Sequence, residues 1–351
     1  MGLKILHSAD WHVGSAFGGF SQQQRRHLRR QQLALPGLVA ELCHREACDL
    51  VLLCGDIFDG IPSREAVEAV KKGLADCAVP VFVSPGNHDF CGVGSPWAEE
   101  IWPENVHVFK GGITSVALPE LDCRIYGAGY SSMDCPPLLT HFQVQAEETY
   151  TVGAFHGDPV TLRSPYNPVT AAQIRESGLT YLALGHIHKA GSLQQGNTLC
   201  GWPGCPMGRG WDETGEKGVY LVTLADTAGI RFQPLAMPQF WDLEADVTDQ
   251  AEEAVAAVLP AAANEDFFRV TLTGGAEVDL EALQDRFACF PNLQFRDRTE
   301  PPVDLWADVG EDTFRGTYFR LLQEMGQTDA DAILAAELSR RLLSGREVSL
   351  P

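Results

Sequence analysis

Five short polar clusters in the sequence combine imidazole, carboxylate and amide side chains at spacings that suit metal binding. In an extended backbone, residues i and i+2 project to the same side, so an Asp-x-His or His-x-His pair can present two ligands to one ion. The five clusters are Asp10-Trp11-His12, Gly55-Asp56-Ile57-Phe58-Asp59, Gly86-Asn87-His88-Asp89, His156-Gly157 and Gly185-His186-Ile187-His188.

The composition of these clusters indicates which ions they could hold, and how many. They offer imidazoles, carboxylates and one amide but no thiolate, a set that suits Mn, Fe or Zn better than a soft metal. Their seven candidate ligands are too many for one closed zinc site. They suit two ions about 3.5–4 Å apart that share a bridging carboxylate. The residues therefore predict a two-metal hydrolase.

The clusters follow short apolar runs that we predict to be buried strands. Helix-like stretches at 22–47 and 63–77 separate some of these runs, and such alternation is typical of a layered α/β domain. The carboxyl ends of strands in an open α/β sheet converge on one crevice, so the five clusters can meet there. The predicted strands are 4–8, 49–54, 79–83, 123–126, 151–155 and 179–184.

Beyond residue 231 the pattern restarts and predicts a compact β-α-β-α-β module, followed by two amphipathic helices. The module comprises strands 240–247, 267–273 and 293–296 and helices 249–262 and 279–287, with Gly326 and Gly345 as C-cap candidates for the later helices. Those two helices are 313–325, with an apolar face of Phe314, Tyr318, Leu321 and Leu322, and 329–343, with Ile333, Leu334, Leu338 and Leu342.

Charge and cysteine usage restrict the class of protein. The 351 residues carry a formal net charge of −21, which argues against a protein wrapped by nucleic acid over its whole surface but permits a local basic patch. From residue 241 onward there are 23 acidic residues, nine arginines and no lysine, which suggests a second module. The ten cysteines form no Cys-x-x-Cys pair, so we expect reduced intracellular thiols.

Several other classes lack support in the sequence. We find no Gly-x-Ser-x-Gly, no Gly-x-x-x-x-Gly-Lys-Ser/Thr and no Asn-x-Ser/Thr, so a serine hydrolase, an intrinsic ATPase and a glycoprotein are not indicated. The chain opens without a charged-then-apolar leader, and no apolar run approaches the ~18 residues that span a bilayer. We therefore expect a soluble, cytoplasmic protein.

Taken together and in this order, the clusters resemble the calcineurin-like metallophosphoesterase superfamily over about residues 1–230. Residues 5–14 and 203–218 narrow the resemblance to the SbcD-type DNA repair exonucleases and, among these, to the branch called YhaO. The resemblance implies a four-layer α/β/β/α sandwich with a smaller C-terminal α+β capping module and terminal helices. We accordingly expect a metallophosphoesterase domain at 1–235, a capping domain at 236–300 and a helical partner-docking segment at 301–351.

The resemblance also implies a ligand set for each of two divalent ions, with Mn expected and Fe or Zn as alternatives. Asp56 would bridge the two ions. One ion would be held by Asp10, His12, Asp56 and His188, and the other by Asp56, Asn87, His156 and His186.

Two further residues match non-ligand positions of the family. His88 corresponds to a histidine that contacts the scissile phosphate, and Asp59 to a carboxylate that orients it. Eukaryotic and archaeal relatives have a second histidine where Asp59 stands, so a mechanism that needs two such histidines does not carry over.

The activity implied is a metal-dependent DNA exonuclease, extended to single-strand endonuclease cleavage, that works in DNA repair with an SMC-like SbcC-type ATPase and as a homodimer. A phosphodiesterase or phosphatase acting on nucleotides or other small molecules is the first alternative. A non-catalytic subunit of an ATPase complex is the second. Candidate DNA contacts are Arg25, Arg26, Arg29 and Arg30 on one predicted helix face, which could equally be a solvated face, and Arg163, Lys189 and Arg209 beside the histidine clusters.

Overall fold

The computed structural model describes residues 2–301 and 304–343, and this part of the chain forms two compact units. The first unit runs to Asp242 and includes Glu265–Phe268, and the second contains the remaining described residues. The three-part division at 235 and 300 stays a prediction. None of the helices within the described ranges is long and apolar enough to cross a bilayer.

Twelve strands and four α-helices make up the described part of the first unit, together with a 3-10 turn at Pro119–Leu121. The helices are α1 (Gln22–Glu46), α2 (Arg64–Asp76), α3 (Pro96–Glu99) and α4 (Ala171–Ser177). The strands are β1 (Leu3–Ser8), β2 (Leu50–Leu53), β3 (Val81–Val83), β4 (Val106–Val108), β5 (Gly111–Leu118), β6 (Cys123–Gly129), β7 (Tyr150–His156), β8 (Tyr181–Gly185), β9 (Gly191–Gln195), β10 (Thr198–Trp202), β11 (Gly218–Leu224) and β12 (Ala228–Pro234).

These strands form two six-stranded sheets within the described residues. The first sheet has the order β12-β11-β1-β2-β3-β4, with β1 to β4 parallel to one another. The second has the order β5-β6-β7-β8-β10-β9, with β6, β7, β8 and β10 parallel. All five polar clusters follow, or end, one of the parallel strands.

Alternation along the strands builds a layered core, because successive side chains of a strand point to opposite faces. In β1, Leu6 packs with residues of α1 and α2, whereas Ile5 packs with side chains of the second sheet. Phe155 and Ile174 belong to a third cluster, between the second sheet and α4. The predicted α/β/β/α sandwich is confirmed.

Helix α1 is positioned by its caps and its apolar face. The Ser21 side chain accepts from the backbone N–H of Gln24 in a capping box, which starts the helix. Burial of Leu28 and Leu35 contributes about 1.5–3 kcal/mol each. The buried side chain of Gln32 donates to the backbone oxygen of His12 at 2.7 Å, so α1 also secures the loop after β1.

Beyond β12 the chain continues the strand and helix alternation that the sequence predicts, and the next two strands each begin with residues of the first unit. The strands β13 (Phe240–Asp246), β14 (Phe267–Thr273) and β15 (Leu293–Asp297) form a three-stranded sheet in that order. Helix α5 is shorter than predicted, since it ends before Pro260. The helices are α5 (Ala251–Val258), α6 (Leu280–Arg286), α7 (Phe314–Met325) and α8 (Ala330–Leu343).

The apolar faces predicted for α7 and α8 are largely wrong. The buried cluster that joins the two helices contains Phe319, Leu322, Ala332 and Ala336. Gly326 caps α7 as expected, whereas Gly345 lies outside the described residues. Of the predicted faces only Leu322 is buried, while Leu334 and Leu338 are half-buried and the exposed members are Phe314, Tyr318, Leu321, Ile333 and Leu342.

His7 on β1 is a buried polar group between the sheets. Its Nδ1 lies 2.8 Å from the Tyr181 hydroxyl and its Nε2 lies 3.0 Å from the backbone oxygen of Leu184. Burial lowers the pKa of His7 from 6.5 to about 3, and the carbonyl of Leu184 opposes that shift. The fold therefore holds His7 neutral.

We expect a pH-dependent loss of stability from His7. Its folded pKa lies below its unfolded value, so the contribution is full above pH 6.5 and is lost as the pH falls from 6.5 toward 3. The loss at pH 5 is about 2 kcal/mol. In urea unfolding with a chelator present, the stability difference between wild type and His7→Leu should shrink by that amount from pH 7.5 to 5. A constant difference would contradict this.

Candidate metal centre

The loops that follow β1 and β2 run side by side and bring the first ligand candidates together. The backbone N–H of Asp10 donates to the oxygen of Gly55 at 3.0 Å, and that of His12 donates to the oxygen of Asp56 at 2.9 Å. Residue His156 ends β7 and His186 directly follows β8, so the second sheet delivers its histidines to the same edge. Both sheets therefore contribute to one site.

Backbone strain is concentrated at this edge. Four candidate ligands have positive backbone φ angles, which residues other than glycine rarely adopt. They are Asp10 (55°), His12 (47°), Asp56 (52°) and His186 (101°). Each such conformation costs of order 1–3 kcal/mol and persists only where the surroundings enforce it. Directing these side chains inward therefore lowers the free energy of unfolding.

Among the described residues, three groups of potential ligand atoms each lie within 4.8 Å, and one of them, His12, Asp56 and His88, links the other two. Asp10, His12 and His188 make one group, and Asp56, His156 and His186 make the other. The Oδ2 atom of Asp56 lies 3.8 Å from Nε2 of His12 and 3.5 Å from Nε2 of His156.

Asn87 completes the second group. Its Oδ1 lies 2.9 Å from Nε2 of His156 and 3.3 Å from Nδ1 of His186. The structure therefore brings together all seven side chains that the sequence predicts as ligands, although their roles as ligands remain a prediction.

The site fits cations. Nε2 of His12 lies 3.2 Å from Nε2 of His188, which is about the separation of two nitrogen ligands bound to one ion. Asp10, His12, Asp56 and His156 are each 1% exposed or less, so water does not screen their lone pairs. Buried carboxylates are stable when they are paired or coordinate metal. Two divalent ions would satisfy this arrangement.

The second nitrogen of three imidazoles faces an oxygen, and this selects which nitrogen points into the centre. Nδ1 of His156 lies 2.9 Å from the backbone oxygen of Cys54. Nδ1 of His188 lies 2.7 Å from Oε1 of Glu213, and Nε2 of His186 lies 4.0 Å from Oδ2 of Asp158. Each ring therefore turns its other nitrogen toward the neighbouring ligands.

Burial and mutual charge set the protonation of the two central carboxyls. Burial raises the pKa of Asp10 above its usual range. Burial would also raise the pKa of Asp56, but the facing imidazoles of His156 and His12 outweigh it, so that the pKa lies below its usual range. The surroundings of Asp56, the candidate bridging ligand, therefore favour its carboxylate anion.

Glycines within the clusters provide space for the ligands. A Cβ at Gly86 would lie 2.3 Å from Oδ1 of Asp56, and one at Gly185 would lie 1.9 Å from the backbone oxygen of Cys54. Gly55 combines a φ of +86° with a similar restriction, since its Cβ would lie 2.3 Å from Nδ1 of His156. Close approach of the two sheets therefore requires glycine at these positions.

Asp89 holds the loop that carries Asp56. Its carboxylate is buried and accepts from donors of three separate segments. The donors are the backbone N–H groups of Gly86 (2.8 Å), Asp56 (3.2 Å), Ile57 (2.9 Å) and Phe58 (3.2 Å) and the indole N–H of Trp97 (2.9 Å).

We expect Asp89→Asn to destabilise the protein by about 2–4 kcal/mol, because an amide would turn a donor toward these N–H groups. Manganese affinity should also fall at least about 10-fold. Asp266 provides a matched control, since it accepts from the backbone N–H of Gln239 and the indole of Trp241 outside the ligand loops. Asp266→Asn should lower stability, measured by urea unfolding, without changing manganese affinity. Unchanged affinity in Asp89→Asn would contradict the prediction.

His88 lies at the solvent side of the centre. Its side chain is 45% exposed, and its Nδ1 lies 3.0 Å from Oδ1 of Asp59. That contact raises the pKa of His88, whereas the imidazoles of His12 and His88 lower the pKa of Asp59. Ser15 also donates to Asp59, at 3.0 Å. The His88 ring is therefore accessible to solvent while Asp59 holds its Nδ1.

The basic side chains proposed as DNA contacts are less tightly grouped. Arg25, Arg26, Arg29 and Arg30 are exposed on the first turns of α1, which is bonded through Gln32 to the loop of His12. Arg163 is exposed in the loop after β7, and Lys189 is exposed directly after His188. Only Arg209 is half-buried among ligand side chains.

Sequence reasoning did not single out Glu213 or Asp158, which face ligand histidines, or the buried Asn167. The amide of Asn167 donates to the backbone oxygen of His156 at 2.8 Å. Asn167 and Glu213 do not follow directly on an apolar run, whereas Asp158 stands two residues after His156 in a His-x-Asp spacing that was overlooked. Their only signal would have been proximity in the chain to a cluster or to the Gly-rich stretch after 203.

Comparison with known proteins agrees with this geometry. The calcineurin-like phosphoesterase family matches residues 3–190, more than half of the chain, and the chain belongs to that family. The superfamily assignment made from the clusters is confirmed.

Individual relatives agree with the narrower resemblance. The uncharacterized metallophosphoesterase YhaO of Bacillus subtilis is 33% identical over 242 residues, which are 63% of this chain and 57% of that protein. A subunit of the nuclease SbcCD of Bacillus subtilis is 24% identical over 266 residues, 63% of this chain and 66% of its own. The chain thus spans less than two thirds of either relative. A dimetal phosphatase structure from Danio rerio has a TM-score of 0.45 at 14% identity and covers 66% of this chain and 96% of its own.

Proposed function

We propose that this protein is a dinuclear metal-dependent nuclease that hydrolyses phosphodiester bonds of DNA, as an exonuclease and on single strands as an endonuclease, in DNA repair. The observation that carries the proposal is the position of Asp56. Its carboxylate belongs to one group of candidate ligand atoms and lies 3.8 Å from Nε2 of His12 in the other, and the exposed His88 stands beside it. A phosphate that approaches from solvent meets His88 and both groups.

The chemistry divides between bound ions and side chains. Two divalent ions at this site would supply Lewis-acid chemistry, lowering the pKa of a water and neutralising phosphate oxygens. His88 would hydrogen-bond the phosphate and protonate the leaving oxygen. Asp59 holds the His88 ring through Nδ1, and the ring lies 4.7 Å from that of His12, centroid to centroid. Asp10, His12 and Asp56 would keep the ions in register with His88.

Support for DNA as the substrate comes from charge and from similarity. The exposed arginines of α1 form a basic face in a protein with a net charge of −21, within about two turns of Gln32, which bonds the His12 loop. Phosphate contacts dominate the affinity of nucleic-acid binders. A similar protein is named as part of a nuclease. We propose manganese as the ion, with iron or zinc as alternatives that a ligand set without thiolate also suits.

The proposed partners are an SMC-like SbcC-type ATPase and a second copy of the chain. The relative from the SbcCD nuclease is, by its name, one part of a larger enzyme. Helices α7 and α8 expose Phe314 and Leu342 beside a groove of about 350 Å³, which suits a helical partner. Size-exclusion chromatography with and without the ATPase measures both associations. A protein that elutes as a monomer and does not co-elute with the ATPase would refute both proposed partners.

The test uses end-labelled single-stranded and duplex DNA with added manganese, beside bis(p-nitrophenyl) phosphate as a small diester. Cleavage of DNA that is abolished by His88→Ala would support the nuclease. Hydrolysis of the small diester with intact DNA, in the presence of the ATPase, would favour the nucleotide phosphodiesterase instead. Absence of bound manganese and of any hydrolysis would favour a non-catalytic subunit.

A further inference from the structure

Glu213 is a buried carboxylate beside the metal centre that belongs to none of the ligand clusters. It lies in the loop between β10 and β11 and is 5% exposed. Its Oε1 lies 2.7 Å from Nδ1 of His188 and 2.7 Å from Nη2 of Arg209, and its Oε2 accepts the backbone N–H of Arg209 at 2.8 Å. One carboxylate thus joins a candidate ligand to an arginine.

The contact with His188 fixes which of its nitrogens faces the centre. Nε2 of His188 lies 3.2 Å from Nε2 of His12 among the candidate ligand atoms, so the tautomer that fits metal binding carries its proton on Nδ1 and donates it to Glu213. A carboxylate in this position orients the ring and increases the basicity of its free nitrogen. Loss of the carboxylate would leave the ring free to turn.

The contact with Arg209 holds a guanidinium at the edge of the same centre. Nε of Arg209 lies 3.2 Å from Oε1 and 3.3 Å from Oε2 of Glu213, so the guanidinium and the carboxylate form a forked ion pair. Within residues 2–301 and 304–343, Nη1 has no hydrogen-bond acceptor. Nη2 of Arg209 also lies 3.2 Å from Nδ1 of the candidate ligand His188. The guanidinium is therefore close enough to act on a phosphate in the site.

Charge balance explains why one carboxylate serves both groups. A guanidinium beside two divalent ions would weaken their binding by repulsion, whereas its pairing with Glu213 cancels that charge locally. The Glu213 carboxylate lies 2.7 Å from Nη2 of Arg209 and 2.7 Å from Nδ1 of His188, so its charge makes the arginine compatible with the ions.

We propose that Glu213 is a positioning residue that orients His188 toward one ion and holds Arg209 where its free Nη1 binds a non-bridging phosphate oxygen of the substrate. The substrate contact rests on the proposed function, whereas the orientation of His188 does not. Glu213 itself touches neither ion nor substrate. The two effects can be separated by variants on either side of the carboxylate.

Calorimetric titration with manganese tests the first effect. Glu213→Gln should weaken one of two manganese sites about 10- to 100-fold, whereas Arg209→Gln should bind both ions as tightly as wild type or more tightly. Glu148→Gln is the matched control, because Glu148 forms a similar bidentate pair with Arg124 at the opposite ends of β6 and β7. It should leave affinity unchanged. Wild-type manganese affinity in Glu213→Gln would overturn the proposal. If Glu213→Gln fails to fold, the same titration is made with Glu213→Asp.

Steady-state hydrolysis of bis(p-nitrophenyl) phosphate at saturating manganese tests the second effect. Arg209→Gln should raise KM about 10- to 100-fold, the loss of one charge-assisted hydrogen bond, with a smaller change in kcat. Unchanged KM would overturn the substrate contact. The manganese titration tests the role of Glu213 even if wild type hydrolyses no substrate. Failure of the proposed function and failure of the Glu213 proposal can therefore be distinguished.

Discussion

An Asp56→Asn protein should lose both ions together and retain no more than about one thousandth of wild-type turnover. The Asp56 carboxylate is the one group that lies between the two ligand groups, at 3.8 Å from Nε2 of His12 and 3.5 Å from Nε2 of His156. An amide keeps the size but removes the negative charge that attracts two cations at once. Without Asp56, the one carboxylate left among the seven candidate ligands is Asp10, and the other ion would have neutral ligands alone.

Manganese content after dialysis and turnover of a small phosphodiester measure the two losses. Asp49→Asn is a matched control, because Asp49 precedes β2 as Asp56 follows it, and its carboxylate accepts the backbone N–H of Lys4 at 2.7 Å. The control should keep both ions and full turnover. Retention of one ion in Asp56→Asn would mean that the carboxylate is not shared.

Removal of the His88 side chain should lower turnover by about 10²- to 10⁴-fold while both ions stay bound. The side chain points to solvent beside the centre, and the contact of this residue with Asp56 is made by its backbone N–H, at 2.8 Å from Oδ1. His88→Ala therefore preserves the loop that supports Asp56. The lost interactions belong to the reacting phosphate.

The structure also allows a competing role, since a nitrogen of His88 lies within 4.8 Å of ligand atoms of His12 and Asp56. Manganese stoichiometry measured beside turnover distinguishes the two roles. Loss of an ion in His88→Ala would identify His88 as a ligand. The exposed His107 on β4 is the matched control, and His107→Ala should alter neither quantity.

The part of the centre predicted from the sequence is the part that follows strand ends. Asp10, Asp56 and His186 each come directly after a short apolar run, and parallel strands place such positions at a common edge. The bounds of α2 were predictable for a similar local reason. Ser63 caps the helix through the backbone N–H of Ala66, so the starting signal lies within four residues of sequence.

Other features depend on tertiary packing and left no local signal. Strand β9 alternates between half-buried and exposed residues and exists because it pairs with β10, so its sequence alone does not predict it. In α7, overlapping faces around Leu322 both satisfy helical spacing, and packing against α8 selects the one that includes Phe319. Glu213 is one of 47 acidic residues, and only the fold places it against His188.

The division of the ligands between two sheets has a consequence for the lifetime of the protein. An ion held by Asp10 and His12 from one sheet and His188 from the other would be a cross-link that unfolding must break. At a free metal concentration 100 times the dissociation constant, one such ion adds about 2.7 kcal/mol to the free energy of unfolding. Proteolysis that acts on opened molecules would then accelerate when metal becomes scarce. The amount of this protein would therefore follow the supply of its metal.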